Sequence, residues 1–454
     1  MTRIRAFAAA ATLAACLILP AAAMADDSDE IRALKAQLRQ TQQMLEAMKQ
    51  RLNELERRQK EVEEQAKERE PAAPPIAQTP PPPAPATASA NAFNPEISAV
   101  LNGKYQAFSR PPANFAIPGF PLGDAAGLDD RGFSLAESEL DIAANVDNLF
   151  YGSLTISLKP QGGAAVEEAY AQTLNMPLGL TLKMGRFFSG IGYLNQFHAH
   201  HDDFIDRPLP YRALLNNQFG DDGVQLKWLA PTDAYLELGG ELLRGDAFPG
   251  GGAAFRGAGT WSAFVHTGGD VGFSNSWKGG VSWLQTRPLR RQAFDNNGNA
   301  IGAFSGRSKL LVGDFVWKWA PNGNPINRNF RFQAEAFYRI EHGLFGAVNP
   351  TAAYDGRQFG WYAEGVYQFM PRWRAGFRHA ELRARNSGPA VAPGGVLDSQ
   401  GRRSWRDSLL LGFANSEFSR IRLQVSRDAS RPKVDYQLSM QYLMLLGAHG
   451  AHQF

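Results

Sequence analysis

Apolar and polar residues alternate with a period of two in many segments of the chain from Phe93 onward. Residues 331–340 read RFQAEAFYRI, and residues 420–425 read RIRLQV. Because successive side chains of a β-strand point to opposite faces, each such segment would have one apolar face and one polar face. Alternation over about ten residues, repeated many times, is typical of strands that cross a membrane in a closed β-barrel.

About sixteen segments of this kind can be placed along the chain. They are 97–108, 133–147, 149–160, 165–175, 179–187, 222–230, 233–243, 259–267, 275–286, 308–319, 328–340, 358–370, 371–383, 404–415, 417–428 and 433–454. Short turns such as 147–148 alternate with long loops such as 109–132, which is the asymmetry of outer-membrane barrels. We therefore predict an all-β transmembrane barrel of about sixteen antiparallel strands, with both chain ends on the side of the short turns.

A soluble β-sandwich or propeller is the alternative fold for so many strands. Such folds need apolar residues that point inward from their sheets, whereas here the second face of each strand carries Arg, Glu, Gln, Asp and Ser. The chain has 29 Phe, 12 Tyr and 9 Trp, yet 20% of its residues are charged. A barrel with lipid outside and water inside uses both kinds of residue, so the composition favours the barrel.

Residues 1–25 have the pattern of a cleaved secretory signal peptide. Arg3 and Arg5 precede an apolar stretch, and small residues end it at Ala25. A lipoprotein signal ending at Cys16 is the alternative, but the apolar run continues beyond that cysteine. We predict cleavage after Ala25, which would remove the single cysteine of the chain.

Two further segments precede the predicted barrel at 93–454. In residues 26–70, apolar residues from Ile31 to Val62 recur at alternating spacings of three and four, which predicts a coiled coil and hence self-association. Residues 71–92 are rich in Pro and Ala and predict a stiff, extended linker. The coiled coil would lie in the periplasm, because it precedes the barrel on the side of the short turns.

A motif lies at the end of the fifth predicted strand and in the loop after it. Residues 182–192 read LKMGRFFSGIG, and residues 206–210 read DRPLP. This combination resembles the phosphate-selective porin O and P family of outer-membrane proteins, in layout over 97–454 and in motif over 182–210. The resemblance implies a sixteen-stranded, trimeric porin in which a loop of this region folds inward. No lysine-rich ladder of the kind that this family uses for phosphate is found, so phosphate selectivity is not implied.

The loop 188–221 is the longest connection of the predicted barrel and carries charges of both signs. Loops of this length in compact structures are usually functional. We expect it to line a constriction, and the candidate pore-lining residues are Arg186, Arg207, Arg212, Arg331, Arg339, Arg420 and Arg422. Arginines in a pore favour anions. Acidic residues such as Glu139 and Glu335 are expected in the same lumen, so pairing between opposite charges is the alternative.

The same loop contains His198, His200 and His201 beside Asp202. Imidazoles next to carboxylates can bind Zn²⁺ or Cu²⁺. The spacing is not that of a structural zinc site, and adjacent His200 and His201 cannot point the same way on an extended chain. A polar loop without metal is the simpler interpretation, and a receptor or transporter linked to zinc uptake is the alternative function.

The sequence therefore predicts a porin for passive diffusion of small hydrophilic solutes or ions, in the outer membrane. No Gly-x-Ser-x-Gly motif and no glycine-rich phosphate loop is present, so we predict neither an enzyme nor a cofactor. A net charge of +3 without a basic patch gives no reason to expect nucleic acid. The expected partners are the lipid bilayer, the permeating solutes, two further copies of the chain and the barrel assembly machinery, which would bind the terminal aromatic residue Phe454.

Overall fold

An antiparallel β-sheet closes on itself in the computed structural model, which describes residues 95–159, 162–252 and 257–447. The first and last strands pair from Ser98 opposite Gly447 to Phe108 opposite Gln437. Because the sheet closes, its backbone groups are paired on both sides of each strand, as a hydrocarbon environment requires. The predicted signal peptide, coiled coil and linker, together with Phe454, lie outside the described residues.

The sheet is built from eighteen strand segments. In chain order these are β1 (Glu96–Phe108), β2 (Gly132–Leu135), β3 (Ser138–Asn145), β4 (Phe150–Leu158), β5 (Ala164–Thr173), β6 (Leu180–Phe188), β7 (Gly220–Leu229), β8 (Tyr235–Leu243), β9 (Thr260–Val271), β10 (Asn275–Thr286), β11 (Arg291–Phe294), β12 (Ala300–Trp319), β13 (Asn329–Gly346), β14 (Ala352–Met370), β15 (Trp373–Ser387), β16 (Arg403–Ser416), β17 (Ser419–Asp428) and β18 (Asp435–Gly447).

The wall of the barrel contains sixteen strands, because two of them are interrupted. Segments β2 and β3 both pair with β1 and together form one strand of the wall. Segments β10 and β11 both pair with β12 in the same way. The predicted fold, a barrel of about sixteen antiparallel strands, is confirmed.

The alternation in the sequence sorts side chains between the outside and the inside of the barrel. On β13 and β14, Tyr338 lies opposite Phe359, and both are about two-fifths exposed on the outer face. The next pair, Arg339 opposite Gln358, faces inward, and both residues are fully buried. Apolar residues thus form the outer surface, and the inner face of β13 is mostly polar.

The connections differ between the two ends of the barrel. Only residues 371–372 separate β14 from β15, and only residues 417–418 separate β16 from β17. At the other end, the connections include 109–131, 189–219 and 388–402. None of the helices among the described residues is long and apolar enough to cross a membrane.

An apolar core lies inside the barrel, formed where the loops 109–131 and 189–219 meet the inner face of the wall. Phe115 and Phe120 of the first loop and Leu214 of the second are almost completely buried. They belong to the same cluster as Phe337 and Leu382, which point inward from the wall. The period-two pattern did not predict this core, because it assigns only polar residues to the inner face.

One short helix, α1 (Leu209–Leu215), lies in the loop 189–219. Pro208 precedes it, and it ends at Asn216, whose φ of 54° is left-handed, as is common after a helix C-terminus. All seven residues of the helix are buried. The helix therefore packs within the barrel.

Candidate functional site

Residues 189–219, which we call the lumen loop, fold into the barrel between β6 and β7. Asn195 joins the two ends of the loop: its side-chain Nδ2 donates hydrogen bonds to the carbonyl groups of Ser189 and Phe219, each at 2.8 Å. Its Oδ1 accepts a hydrogen bond from the backbone N–H of Phe219 at 2.8 Å. This buried amide closes the loop at its base, together with a hydrogen bond from the backbone N–H of Ser189 to the carbonyl of Phe219 at 3.1 Å.

Glu335, on the inner face of β13, is the main anchor of the lumen loop. Its carboxylate accepts hydrogen bonds from the backbone N–H groups of Tyr193 and Leu194, both at 3.1 Å. The hydroxyl of Tyr362, on β14, donates to the same carboxylate at 2.6 Å. The loop approaches so closely that a Cβ atom at Gly192 would lie 2.5 Å from Glu335 Oε2, so glycine is required there.

One part of the lumen loop contacts an acidic part of the inner face, which we call the acidic wall: Glu139 on β3 and Glu167 and Glu168 on β5. His198 Nδ1 lies 3.2 Å from Glu139 Oε2 and 3.4 Å from Glu167 Oε2, and His198 Nε2 lies 3.0 Å from Glu168 Oε2. His200 Nδ1 lies 3.1 Å from Glu139 Oε1. Burial opposes protonation of His198, but the surrounding carboxylates outweigh it and raise its pKa well above the usual range.

The following residues of the loop contact a second stretch of the inner face, which we call the basic wall and which consists of Arg331, Arg374, Arg378, Arg406, Arg420 and Arg422. Asp203 pairs with Arg331 and also lies 3.5 Å from Arg374 Nη1. Asp206 accepts from Arg378 Nη2 at 2.5 Å and lies 2.6 Å from Arg406 Nη1. Burial would raise the pKa of Asp206, but these guanidinium groups outweigh burial and hold it well below its usual range.

Arg420 and Arg422, two of the predicted pore residues, bind backbone oxygens of the lumen loop. Arg420 Nη2 donates to the carbonyl of His200 and, at 3.2 Å, to that of Asp202. Arg422 Nη1 donates to the carbonyl of Asp203 at 2.9 Å. The acidic wall thus holds the side chains of the loop's histidines. The basic wall holds both the side chains of its aspartates and the backbone beside them.

Arg207 and Arg212, also predicted to line the pore, are buried inside the loop. Arg207 Nε lies 2.9 Å from Asp202 Oδ2, and its Nη1 donates to the carbonyl of Leu194 at 2.7 Å. Arg212 Nη1 donates to the carbonyl of Gly127 at 3.1 Å. Both side chains are 6% exposed or less, so they brace the loop and have little surface to offer a solute.

Arg331 and Arg339 lie on the inner face of β13, but of these two only Arg331 contacts the lumen loop. Arg339 is fully buried near the loop end of the barrel, where its Nε donates to Gln358 Oε1 at 2.6 Å. Its Nε also lies 3.6 Å from Glu341 Oε1. Arg339 is therefore part of the packed interior.

The prediction that Arg186 lines the pore needs correction. Its side chain is 45% exposed on the outer face, where Nε lies 2.7 Å from Asp222 Oδ1. Arg186 has the same parity along β6 as Met184, which is also exposed on that face. The alternation that placed the strands thus also places Arg186 outside.

The predicted metal ligands are divided by the fold. Among the described residues, His198 and His200 form a group with Glu139 in which the ligand atoms lie within 4.8 Å of one another. Asp202 pairs with Arg207, and His201 is not a member of the group. Glu139 was predicted to face the lumen, but its place beside the histidines depends on how the loop folds, and no local pattern in the sequence indicates that.

Arg406 is a member of the basic wall that sequence reasoning missed. Its Nη1 atom lies 2.6 Å from Asp206 Oδ2, and its side chain is almost completely buried. The alternation along β16 could have identified it. Leu409 and Leu411 face outward, so Arg406, which has the opposite parity, faces inward.

The chain is similar to one protein of Aquifex aeolicus (strain VF5), described only as uncharacterized, with 30% identity over 391 residues that cover 81% of each chain. No protein-family model matches the chain. Among solved structures, the outer membrane channel DcaP of Acinetobacter baumannii has 10% identity and a TM-score of 0.48 over 78% of this chain and 97% of that one. OmpT of Vibrio cholerae has 10% identity and a TM-score of 0.46, over 78% and 99%. Because 30% of residues are identical over most of both chains, the chain belongs to the family of the Aquifex aeolicus protein.

Proposed function

We propose that the protein is a channel of the outer membrane through which small hydrophilic solutes or ions diffuse passively. The observation that carries this proposal is the opposite character of the two faces of a closed wall. Leu409 is 57% exposed and Phe377 is 49% exposed on the outside, whereas charged side chains occupy the inside. An apolar outer surface suits lipid, and a polar interior suits water.

The inner face keeps contact with solvent, which supports a water-filled lumen. The side chain of Arg374 is 45% exposed although it points inward, and that of Lys227 is 31% exposed. On the acidic wall, Glu167 keeps 17% of its side-chain surface. The lumen loop and the apolar core occupy part of this space, so the channel would be narrow and would favour small solutes.

We further propose that anions pass more readily than cations. Four of the six arginines of the basic wall, Arg331, Arg374, Arg378 and Arg406, lie within 4.0 Å of four carboxylates, those of Asp203, Asp206, Glu364 and Asp428. The other two, Arg420 and Arg422, bind carbonyl groups of the loop. Guanidinium groups thus outnumber their acidic partners in this stretch of the wall. An excess of arginine at a constriction favours anions.

Planar-bilayer recording of the purified protein tests the proposal. We expect discrete conductance steps, with reversal potentials in asymmetric KCl that show chloride preference. Deletion of residues 198–206 should raise the single-channel conductance, whereas deletion of Asn297 and Gly298, in an exposed turn, should leave it unchanged. A barrel that inserts into the bilayer and never conducts would contradict the channel function. A recovery of the protein in the soluble periplasm would contradict the location.

A further inference from the structure

We propose that Glu139, His198 and His200 form a binding site for a divalent cation of the zinc class, which joins the lumen loop to the acidic wall. The two imidazoles come from the loop, and the carboxylate comes from β3. The proposal concerns binding and does not depend on whether the barrel conducts.

The first argument is the imbalance of charge around His198. Three carboxylates, those of Glu139, Glu167 and Glu168, lie within 3.4 Å of its ring nitrogens. A fully protonated imidazole carries one positive charge and two N–H donors, so it cannot neutralise or hydrogen-bond to all three groups. Buried charges in proteins are paired with opposite charges or bound to a metal ion. A divalent cation would supply the positive charge that is missing here.

The second argument is the geometry of the donor atoms. The two oxygens of Glu139 face two different imidazoles, with Oε1 3.1 Å from His200 Nδ1 and Oε2 3.2 Å from His198 Nδ1. Within the described part of the chain, neither Glu139 Oε2 nor His198 Nδ1 takes part in a hydrogen bond, although they lie so close. Ligands of a tetrahedral zinc ion, bound at about 2.0–2.1 Å, are separated by roughly 3.3 Å. The two carboxylate–imidazole distances are already close to this spacing, and the three ligand atoms lie within 4.8 Å of one another.

The ligand types select the class of cation. Imidazole nitrogen suits Zn²⁺, Cu²⁺ and Ni²⁺, whereas Ca²⁺ and Mg²⁺ prefer oxygen ligands. Two imidazoles with one carboxylate form a ligand set that is known for zinc, in which a water molecule or a further carboxylate completes the sphere. Glu167, 3.4 Å from the same Nδ1 of His198, is placed to supply that carboxylate or to hold a bound water. Glu168 contacts Nε2 on the other side of the ring and would orient the imidazole.

The position of the site gives the cation a structural consequence. Its ligands belong to two different elements, so a bound ion would hold His198 and His200 against β3. The neighbouring residues Asp203 and Asp206 attach the same loop to the basic wall. Metal occupancy would therefore restrict the lumen loop at its acidic end.

Zinc binding by the full chain in detergent tests the site directly. After treatment with a chelator, we expect the protein to take up one Zn²⁺ per chain at neutral pH, measured by elemental analysis after desalting and by titration calorimetry. The double variant His198→Gln, His200→Gln and the single variant Glu139→Gln should each weaken binding by more than about tenfold. His342→Asn is the matched control, because His342 is an exposed histidine on the outer face, where it pairs with Asp355.

Cobalt provides a second measurement, which reports the ligands of the bound ion. Co²⁺ in the wild-type protein should give visible absorption bands of an ion bound by nitrogen and oxygen, and these bands should be absent in the double variant. Heat-modifiable migration on a gel shows whether each variant still forms a barrel. Equal zinc uptake by the wild-type protein and a folded double variant would overturn the proposal. Loss of uptake in His342→Asn alone would also overturn it.

Discussion

The hydroxyl of Tyr211 lies 2.9 Å and 3.0 Å from the two carboxylate oxygens of Glu335. Tyr211 belongs to α1 of the lumen loop, and Glu335 belongs to the inner face of β13, so this contact joins the loop to the wall. The ring of Tyr211 also packs edge-on against Phe337, with 5.2 Å between ring centres. The loop is thus held by a hydrogen bond to a buried carboxyl group at the margin of an apolar core.

Tyr211→Phe removes this hydrogen bond and keeps the ring. We expect the free energy of unfolding to fall by about 1–3 kcal/mol, because a buried carboxyl group loses a hydrogen-bond partner. Urea unfolding in lipid vesicles measures the change. Tyr338→Phe is the control, since Tyr338 lies on β13 like Glu335 but faces outward. An equal loss of stability in both variants would show that Glu335 does not hold the loop.

Asp206→Asn should destabilise the protein in a way that depends on pH. Because its guanidinium partners lower the pKa of Asp206 in the folded state, the carboxylate stabilises the fold at pH values above about 4, the ordinary range of an aspartate. The contribution is lost as the pH falls further, toward the folded-state pKa. The difference in unfolding free energy between wild type and variant should be constant from pH 8 to 5 and should shrink below pH 4. The exposed Asp233→Asn is the control and should change the unfolding free energy by less than about 0.5 kcal/mol.

Arg374→Gln should reduce the proposed preference for anions. Arg374 is the most exposed of the six arginines of the basic wall. One unit charge about 4 Å away contributes about 1 kcal/mol in water, so the ratio of chloride to potassium permeability should fall by up to about fivefold. Reversal potentials measure this ratio. Arg186→Gln serves as control, and an equal shift in that outward-facing variant would contradict the assignment of Arg374 to the pore.

The coiled coil predicted for residues 26–70 stays a prediction, and so does the trimer. Deletion of residues 28–70 should weaken association without abolishing it, because the barrel walls are expected to pack against one another as well. Light scattering in mild detergent measures the mass. Leu45→Lys, in the predicted seam, should weaken association, whereas Gln42→Lys, outside the seam, should not. A wild-type monomer would contradict both expectations.

The wall of the barrel could be predicted from the sequence because its strands each have one face in lipid and one face in water. That pattern located all sixteen strands, and it also contained the correct position of Arg186, which shares its parity with Leu182 and Met184. The long loop was expected to fold inward on the basis of a resemblance. The contacts that it makes there could not be predicted.

The lumen loop has no such repeating pattern. Arg207 and Arg212 are as polar in the sequence as Arg374, yet the first two brace the loop and the third faces the lumen. The difference lies in the carbonyl and carboxylate groups that the folded loop brings close to each arginine. Which groups come close depends on residues far away in the chain. The same reason explains why Glu139 was not recognised as a neighbour of the histidines.

The attachments of the lumen loop also set an order for its folding. Arg422 donates to the carbonyl of Asp203 across 219 positions of sequence, and His200 reaches Glu139 across 61. Contacts between residues so far apart form slowly, because the intervening chain must first be brought together at a cost in entropy. The acidic end of the loop has its partners as soon as the early strands exist, whereas the basic end must wait for β13 to β17. We therefore expect the loop to dock from its histidines toward its aspartates, with its contacts to the basic wall formed last.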